Sequence, residues 1–114
     1  MIAVDDDYNI TIIRGDSGYV KLSLVEIDGE EEVPYIPKEG ETLRFAMAKK
    51  YGATEEDCLI LRPIDVSTLK LYFHPEDTKN LKFGDYKYDL EFTNEDGFVD
   101  TILKATFRID EEVY

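Results

Sequence analysis

Carboxylates are the most abundant groups in this sequence that could take part in catalysis, with 26 Asp and Glu residues against 13 Lys and Arg. Two neighbouring acids can act as general acid and base in glycoside hydrolysis, provided that an apolar pocket raises the pKa of one of them. The densest acidic runs, residues 30–32, 55–57 and 111–112, lie outside the apolar segments of the sequence. We therefore expect these runs to be solvated surface charge, and we predict no catalytic residues.

The other groups that could bind a metal or act as nucleophiles are isolated from one another. Asp5, Asp6 and Asp7 could contact a calcium ion, but the glycine and the spaced ligands of a calcium loop are missing. The single cysteine, Cys58, lies among carboxylates whose negative charge disfavours a reactive thiolate. The single histidine, His74, lies in no recognisable triad motif. We predict neither a metal site nor a cofactor.

Eight tyrosines are the one enrichment that could serve ligand binding. Exposed aromatic faces can stack on sugar rings, and Tyr35, Tyr51 and Tyr72 are candidates for such a surface. The alternative is that these residues simply fit the half-buried face of a strand. A carbohydrate-binding module that uses exposed tyrosines is therefore the second hypothesis for function.

Length and charge exclude several classes of protein. A chain of 114 residues is long enough for one domain with a real core, and its net charge is −13. This charge repels phosphate backbones, so we expect no nucleic-acid partner, and no apolar run is long enough for a membrane-spanning helix. The first residues also lack the basic segment and the following apolar segment of a secretory signal. We therefore expect an intracellular protein that does not bind membranes.

Alternation of apolar and polar residues indicates β-strands throughout the chain. The alternating runs lie near residues 10–14, 19–27, 42–47, 69–73, 86–92 and 98–109. Asp28–Gly29 predicts a tight hairpin, and Pro34 and Pro37 restrict the segment after it to a sheet edge or a loop. Turn residues at 94–97 separate the last two strands, and a single helical turn is expected at residues 75–80. We treat residues 1–114 as one domain with frayed ends at about 1–7 and 112–114.

About seven short strands in one small domain predict an all-β fold, a two-sheet antiparallel sandwich. Its core is expected to contain nine apolar side chains: Val20, Leu22, Leu24, Leu43, Phe45, Leu71, Tyr88, Leu90 and Phe107. The stretch 75–90 resembles the corner before the sixth strand of immunoglobulin-like domains, in which an acidic helical turn precedes Gly-x-Tyr. The resemblance implies structural roles for Asp77, Gly84 and Tyr86, with the Tyr86 hydroxyl bonded to backbone between residues 77 and 81. The disulfide and the central tryptophan of antibody domains are absent.

The chain as a whole is similar to the N-terminal immunoglobulin-like domain of phage upper baseplate proteins. The resemblance rests on Ile10-Thr-Ile-Ile-Arg-Gly-Asp-Ser-Gly18, Gly40-Glu-Thr-Leu-Arg-Phe-Ala-Met-Ala-Lys-Lys50, Gly84-Asp-Tyr-Lys-Tyr-Asp-Leu90 and Asp96-Gly-Phe-Val-Asp-Thr101. It implies a non-catalytic structural or assembly protein of a phage or prophage, associated with the tail or baseplate. Its partners are then other phage structural proteins. The expected location is the host bacterial cytoplasm during assembly, with the virion as a further destination.

We also expect the partner interface to lie on the first and last long strands. Ile13, Phe98 and Ile102 are apolar residues on faces that the alternation assigns to solvent. A basic partner suits the acidic chain, and weak self-association is expected to strengthen with salt because salt screens the like charges.

Overall fold

Strands form wherever the alternating pattern is strong. The computed structural model describes residues 1–113, with 51% strand and 6% helix, so the chain is all-β. The strands are β1 (Ile2–Val4), β2 (Ile10–Ile13), β3 (Gly18–Lys21), β4 (Val25–Asp28), β5 (Glu31–Pro34), β6 (Thr42–Ala48), β7 (Ile60–Ile64), β8 (Lys70–Phe73), β9 (Gly84–Thr93) and β10 (Val99–Asp110). A 3₁₀ turn lies at Glu55–Asp57, and one helical turn, α1, spans Pro75–Thr78.

Six strands form the main sheet, in the order β1-β2-β10-β9-β6-β7, and this sheet curls into a half-barrel. Its neighbours are antiparallel except β2 and β10, which run parallel. A second sheet consists of β3 and β8, and a third of β4 and β5. The β3–β8 pair packs against the main sheet through the buried side chains of Leu71 and Phe73.

The core is centred on aromatic rings that join the two layers. Phe73 of β8 lies 5.5 Å from Phe45 and 5.4 Å from Phe107, both in the main sheet, between ring centroids. Six of the nine predicted core residues are buried: Leu43, Phe45, Leu71, Tyr88, Leu90 and Phe107. The other three, Val20, Leu22 and Leu24, are only partly buried and pack at the margin of this cluster.

The partial burial of these three residues follows from a break in the predicted strand 19–27. The chain pairs with β8 only as far as Lys21, and then turns to pair with β5 from Val25 onward. Between these strands, the Leu22 N–H donates to the Leu69 carbonyl, and Leu24 accepts from the Tyr35 N–H. The segment therefore lies over the core without being part of either sheet. Residues 1–113 contain ten strands, of 3 to 12 residues, where the alternation predicts about seven.

The two ends are more ordered than the sequence indicates. Residues 2–4, predicted to fray, form β1 against β2, and the N-terminal ammonium contacts Asp16. At the other end, Glu112 is half-buried and accepts two short hydrogen bonds from Arg14 (2.6 and 2.9 Å). Ion pairs between residues far apart in sequence hold these segments in place. Composition alone does not reveal such pairs. Tyr114 lies outside the described residues.

The predicted turns are confirmed. β4 and β5 form a hairpin around Gly29, whose φ of +66° suits the tight turn. Asn94 organises the turn between β9 and β10, because its side-chain oxygen accepts the N–H groups of Asp96 and Phe98, both at 2.9 Å. The helical turn α1 begins at Pro75, as its position before an acidic stretch predicts.

Candidate functional site

The three predicted interface residues do not form one surface. Ile13 pairs with Asp110 at the C-terminal end of β10, whereas Ile102 lies near the start of that strand. Eight residues of strand separate the two positions, which corresponds to roughly 26 Å. Phe98 precedes β10 and is 74% exposed, so Phe98 and Ile102 share one end of the sheet while Ile13 lies at the other.

Ile102 occupies a β-bulge. The register of β10 against β9 shifts between Thr101 and Leu103, which leaves Ile102 as the extra residue without an opposite partner. Bulges re-aim side chains and often lie at sheet margins near functional sites. Here Ile102 and Leu103 both line the same groove, although period-2 alternation would place them on opposite faces.

This groove has a volume of about 800 Å³, and most of its lining side chains are apolar. One wall comes from the main sheet, with Leu90, Phe92 and Leu103, and the other from the irregular segment around Leu22 and Leu24. The groove exists because the break after Lys21 removes the continuous strand that would have closed this side of the core.

A tyrosine and a buried carboxylate lie in the wall of the groove. The Tyr35 hydroxyl is 2.6 and 2.8 Å from the two carboxylate oxygens of Glu41, and the Lys38 N–H donates to the first of these oxygens at 2.6 Å. The Lys38 N–H and the Tyr35 hydroxyl hold the pKa of Glu41 below its usual value. The same pairing raises the pKa of Tyr35 to about 12. The pair is therefore a neutral phenol bonded to an ionised acid, and because Tyr35, Lys38 and Glu41 all lie between β5 and β6, it closes that loop on itself.

Acidic residues predominate at the groove. Its lining contains Glu26, Glu41 and Asp100, against the single base Lys21. The loop 5–7 that follows β1 adds three aspartates next to Val4 and Tyr8 of the same lining. A cationic ligand is therefore favoured at this end of the molecule over an anionic one.

The predicted corner residues have structural roles. The Tyr86 hydroxyl donates to the Lys82 carbonyl at 2.6 Å, one residue beyond the predicted acceptor range of 77–81. Asp77 accepts the His74 N–H and two hydrogen bonds from Arg62 (2.6 and 2.9 Å). Gly84 begins β9 with φ of +139°, a conformation that L side chains rarely adopt.

Two residues of this corner were missed by the sequence analysis. Thr78 is fully buried and its hydroxyl accepts the Gly15 N–H at 2.8 Å. Arg14 donates to the Leu81 carbonyl and stacks over Phe83, in addition to its pairing with Glu112. Both contacts join segments distant in sequence, so no local pattern identifies them.

The three candidate tyrosines for sugar binding differ in their surroundings. Tyr35 is half-buried in its pairing with Glu41, and Lys87 and Lys104 cover Tyr51. Tyr72 is exposed and lies opposite Tyr19 across the β3–β8 pair, with ring centroids 5.6 Å apart. The structure thus points to Tyr19 and Tyr72 as the exposed aromatic pair, of which the sequence analysis identified only Tyr72.

The β4–β5 hairpin is exposed along its whole length. Cross-strand register places Val25, Ile27 and Pro34 on one face together with Glu32, and it places Glu26, Asp28, Glu31 and Val33 on the other. An isolated two-stranded hairpin is marginally stable in water. This amphipathic arm therefore leaves an apolar face uncovered.

The described residues contain no group of three or more His, Cys, Asp or Glu side chains arranged to hold a metal ion. Within the same residues, no helix is long and apolar enough to cross a membrane. Cys58 is half-buried next to the 3₁₀ turn, and His74 precedes α1 with its ring exposed. Neither residue has a neighbouring group that suggests a reaction.

Comparison of the sequence with protein-family models and with curated proteins gives no match.

Proposed function

We propose that this chain is a non-catalytic protein–protein interaction module of a phage tail or baseplate, with an immunoglobulin-like sandwich fold. Its partners are other phage structural proteins that present basic surfaces. It acts in the host bacterial cytoplasm during assembly, and incorporation into the virion is a further expectation. The resemblance of the sequence to the N-terminal domain of upper baseplate proteins supports this assignment.

The strand order is consistent with the immunoglobulin-like part of the proposal. The second strand, β2, lies parallel to the last, β10, and β9 and β6 follow in the same sheet. β3 and β8 form the opposing layer, and a helical turn followed by a hydrogen-bonded tyrosine connects β8 to β9. These features agree with the corner and the crossing of the chain between layers that the fold requires.

The exposed hairpin is the observation that carries the functional proposal. Ile27 is 73% exposed and shares its face with Val25, Pro34 and the carboxylate of Glu32, while the other face carries three acidic residues and Val33. Apolar surface on an otherwise highly charged protein marks a contact site. The acidic face selects a basic partner by charge complementarity.

Co-expression of the chain with phage tail and baseplate proteins tests the proposal. We expect one of them to co-purify with the chain, and Ile27→Asp to abolish the interaction while leaving the urea midpoint unchanged. Leu61→Asp is the matched control, because Leu61 is also an exposed aliphatic residue but lies on β7. Absence of any co-purifying tail protein, or equal loss with both variants, would contradict the proposal.

The exposed tyrosine pair favours carbohydrate binding as the second candidate function. Tyr19 and Tyr72 are 53% and 47% exposed, and the Lys70 ammonium lies 5.0 Å from the Tyr19 ring centroid. A glycan array with the wild type and Tyr72→Ala distinguishes the two functions. Binding that disappears in Tyr72→Ala but persists in Tyr51→Ala would establish a lectin-like surface.

A further inference from the structure

The sheet edge of β10 is unpaired beside the apolar groove. β2 pairs with β10 only at Phe107–Asp110, so the strand from Val99 to Ala105 has β9 on one side and no strand on the other. The Asn9 side chain closes this edge by accepting the Thr106 N–H at 3.0 Å. The backbone N–H and carbonyl groups of successive residues point to opposite edges of a strand. Those of Lys104 therefore point the same way as the Thr106 N–H, away from β9.

The groove has the shape that an extended chain requires. Its two walls come from different layers, and Leu22 and Leu24 on one wall face Leu90 and Leu103 on the other. A strand placed beside β10 would direct every second side chain between these walls and the others to solvent. The unpaired stretch 99–105 spans seven residues, or roughly 23 Å, which matches an added strand of about six residues.

We propose that this groove binds an extended segment of a partner protein, which adds to the free edge of β10 as a strand. The segment alternates apolar side chains, which enter the groove, with lysine or arginine, which stays in solvent at the groove's acidic rim, where Glu26 and Asp100 are exposed. The inference rests on the proposed function as an interaction module and specifies where and how the partner is held. Main-chain hydrogen bonds along β10 supply affinity, and the apolar pockets supply specificity.

Charge decides between this occupant and a second copy of the chain. The groove lining has three acids and one base, and the whole chain carries −13. A second copy would bring the same charge against this rim, whereas a basic segment is attracted to it. The occupant is therefore a different protein.

End-blocked octapeptides provide a direct probe. The first alternates valine with lysine, the second alternates valine with glutamate, and the third has the composition of the first arranged as a block of lysines and a block of valines. Binding is followed by NMR titration of ¹⁵N-labelled protein together with amide hydrogen exchange. We expect saturable binding of the first peptide only, with slowed exchange of the Lys104 amide.

Ile102→Glu and Leu61→Glu form a matched pair of variants, because these residues are 42% and 43% exposed on different strands of the main sheet. Each variant adds one negative charge, so each strengthens non-specific attraction of a basic peptide equally. Ile102→Glu should nevertheless weaken binding by roughly tenfold or more, since it replaces an apolar wall of the groove. Leu61→Glu should bind at least as well as the wild type.

Five results would overturn the inference. One is equal binding of the block peptide, and another is a chemical-shift footprint confined to β7 or to the tip of the hairpin at residues 28–31, away from the groove-lining residues. The others are unchanged affinity of Ile102→Glu and protection of the Lys104 amide without peptide, which indicates self-pairing. Lack of binding by all three peptides would overturn it too. None of these results removes the proposed function, because a tail protein can still co-purify through the hairpin. Conversely, failure of a tail protein to co-purify would contradict the proposed function without changing the result of the peptide titration.

Discussion

Replacement of Tyr86 by phenylalanine isolates a single hydrogen bond in the corner before β9. The ring is 7% exposed, and its hydroxyl donates to the Lys82 carbonyl at 2.6 Å. The substitution removes the oxygen and retains the packing of the ring. Any loss of stability therefore reports the hydrogen bond and the fate of its acceptor.

The expected loss is about 1 kcal/mol, the net value of a hydrogen bond between neutral groups. Lys82 is an exposed residue, so water can reach its freed carbonyl and the additional cost of a stranded acceptor is avoided. With a urea dependence of about 2 kcal/mol/M, the unfolding midpoint should fall by roughly 0.5 M.

Urea unfolding followed by far-UV circular dichroism measures this shift, and Tyr51→Phe is the control. The Tyr51 hydroxyl donates to the Ala105 carbonyl at a longer distance of 3.3 Å, and its ring is exposed. We expect the control to move the midpoint by less than about 0.2 M. An unchanged midpoint for Tyr86→Phe, or an equal fall in both variants, would refute the assignment of the corner.

Four further predictions concern the core, the corner and self-association. Phe107→Ala deletes a fully buried ring, and the free energy of unfolding from urea curves should fall by about 3–5 kcal/mol. Gly84→Ala forces an L residue to φ of +139° and should cost roughly 1–3 kcal/mol by the same assay, although its Cβ would meet no atom within 4 Å. Burial raises the pKa of Asp77, but hydrogen bonds from Arg62 and the His74 N–H outweigh this effect, so the pKa is lowered. The corresponding stability is present above the unfolded pKa of about 3.9 and is lost as the pH falls through the folded value. Asp77→Asn should therefore flatten the acid limb of the stability curve, and parallel limbs in wild type and variant would contradict this. Analytical ultracentrifugation should show weak self-association that increases between about 0.02 and 0.5 M salt, and a tight dimer at low salt would contradict the charge argument.

The alternation of apolar and polar residues predicts the individual strands well, but it does not predict which strands pair with each other. The alternation of Leu43, Phe45 and Met47 reports which side of β6 is buried, because the period-2 geometry of a strand needs no information from elsewhere. The parallel pairing of β2 with β10 depends instead on how the two ends of the chain meet. The same limitation explains why the sequence predicts one surface for Ile13 and Ile102, although Ile13 pairs with the end of β10 and Ile102 lies near its start.

The candidate groove could be predicted only in part. Ile102 lines the groove and stands out in the sequence as an apolar residue on a face that the alternation assigns to solvent, and it is exposed. The groove itself arises from the switch of the chain between β8 and β5 after Lys21, where a continuous apolar alternation predicted an unbroken strand. Tertiary pairing overrides the local preference there. Likewise, Tyr19 becomes significant only through Tyr72 on the opposite strand.

The pairing of β2 with β10 has a consequence for the folding of the chain during its synthesis. Arg14 and Glu112, whose ion pair lies beside this union, are 98 positions apart. During translation, the main sheet therefore cannot be completed until almost the entire chain has been synthesised. Contacts of such long separation slow folding, because the entropy of the intervening chain is lost before the contacts form. During that interval the apolar face of β2 lacks its final neighbour and is open to chaperones, so nascent-chain protection, as much as native stability, should set the yield of this protein in the cell.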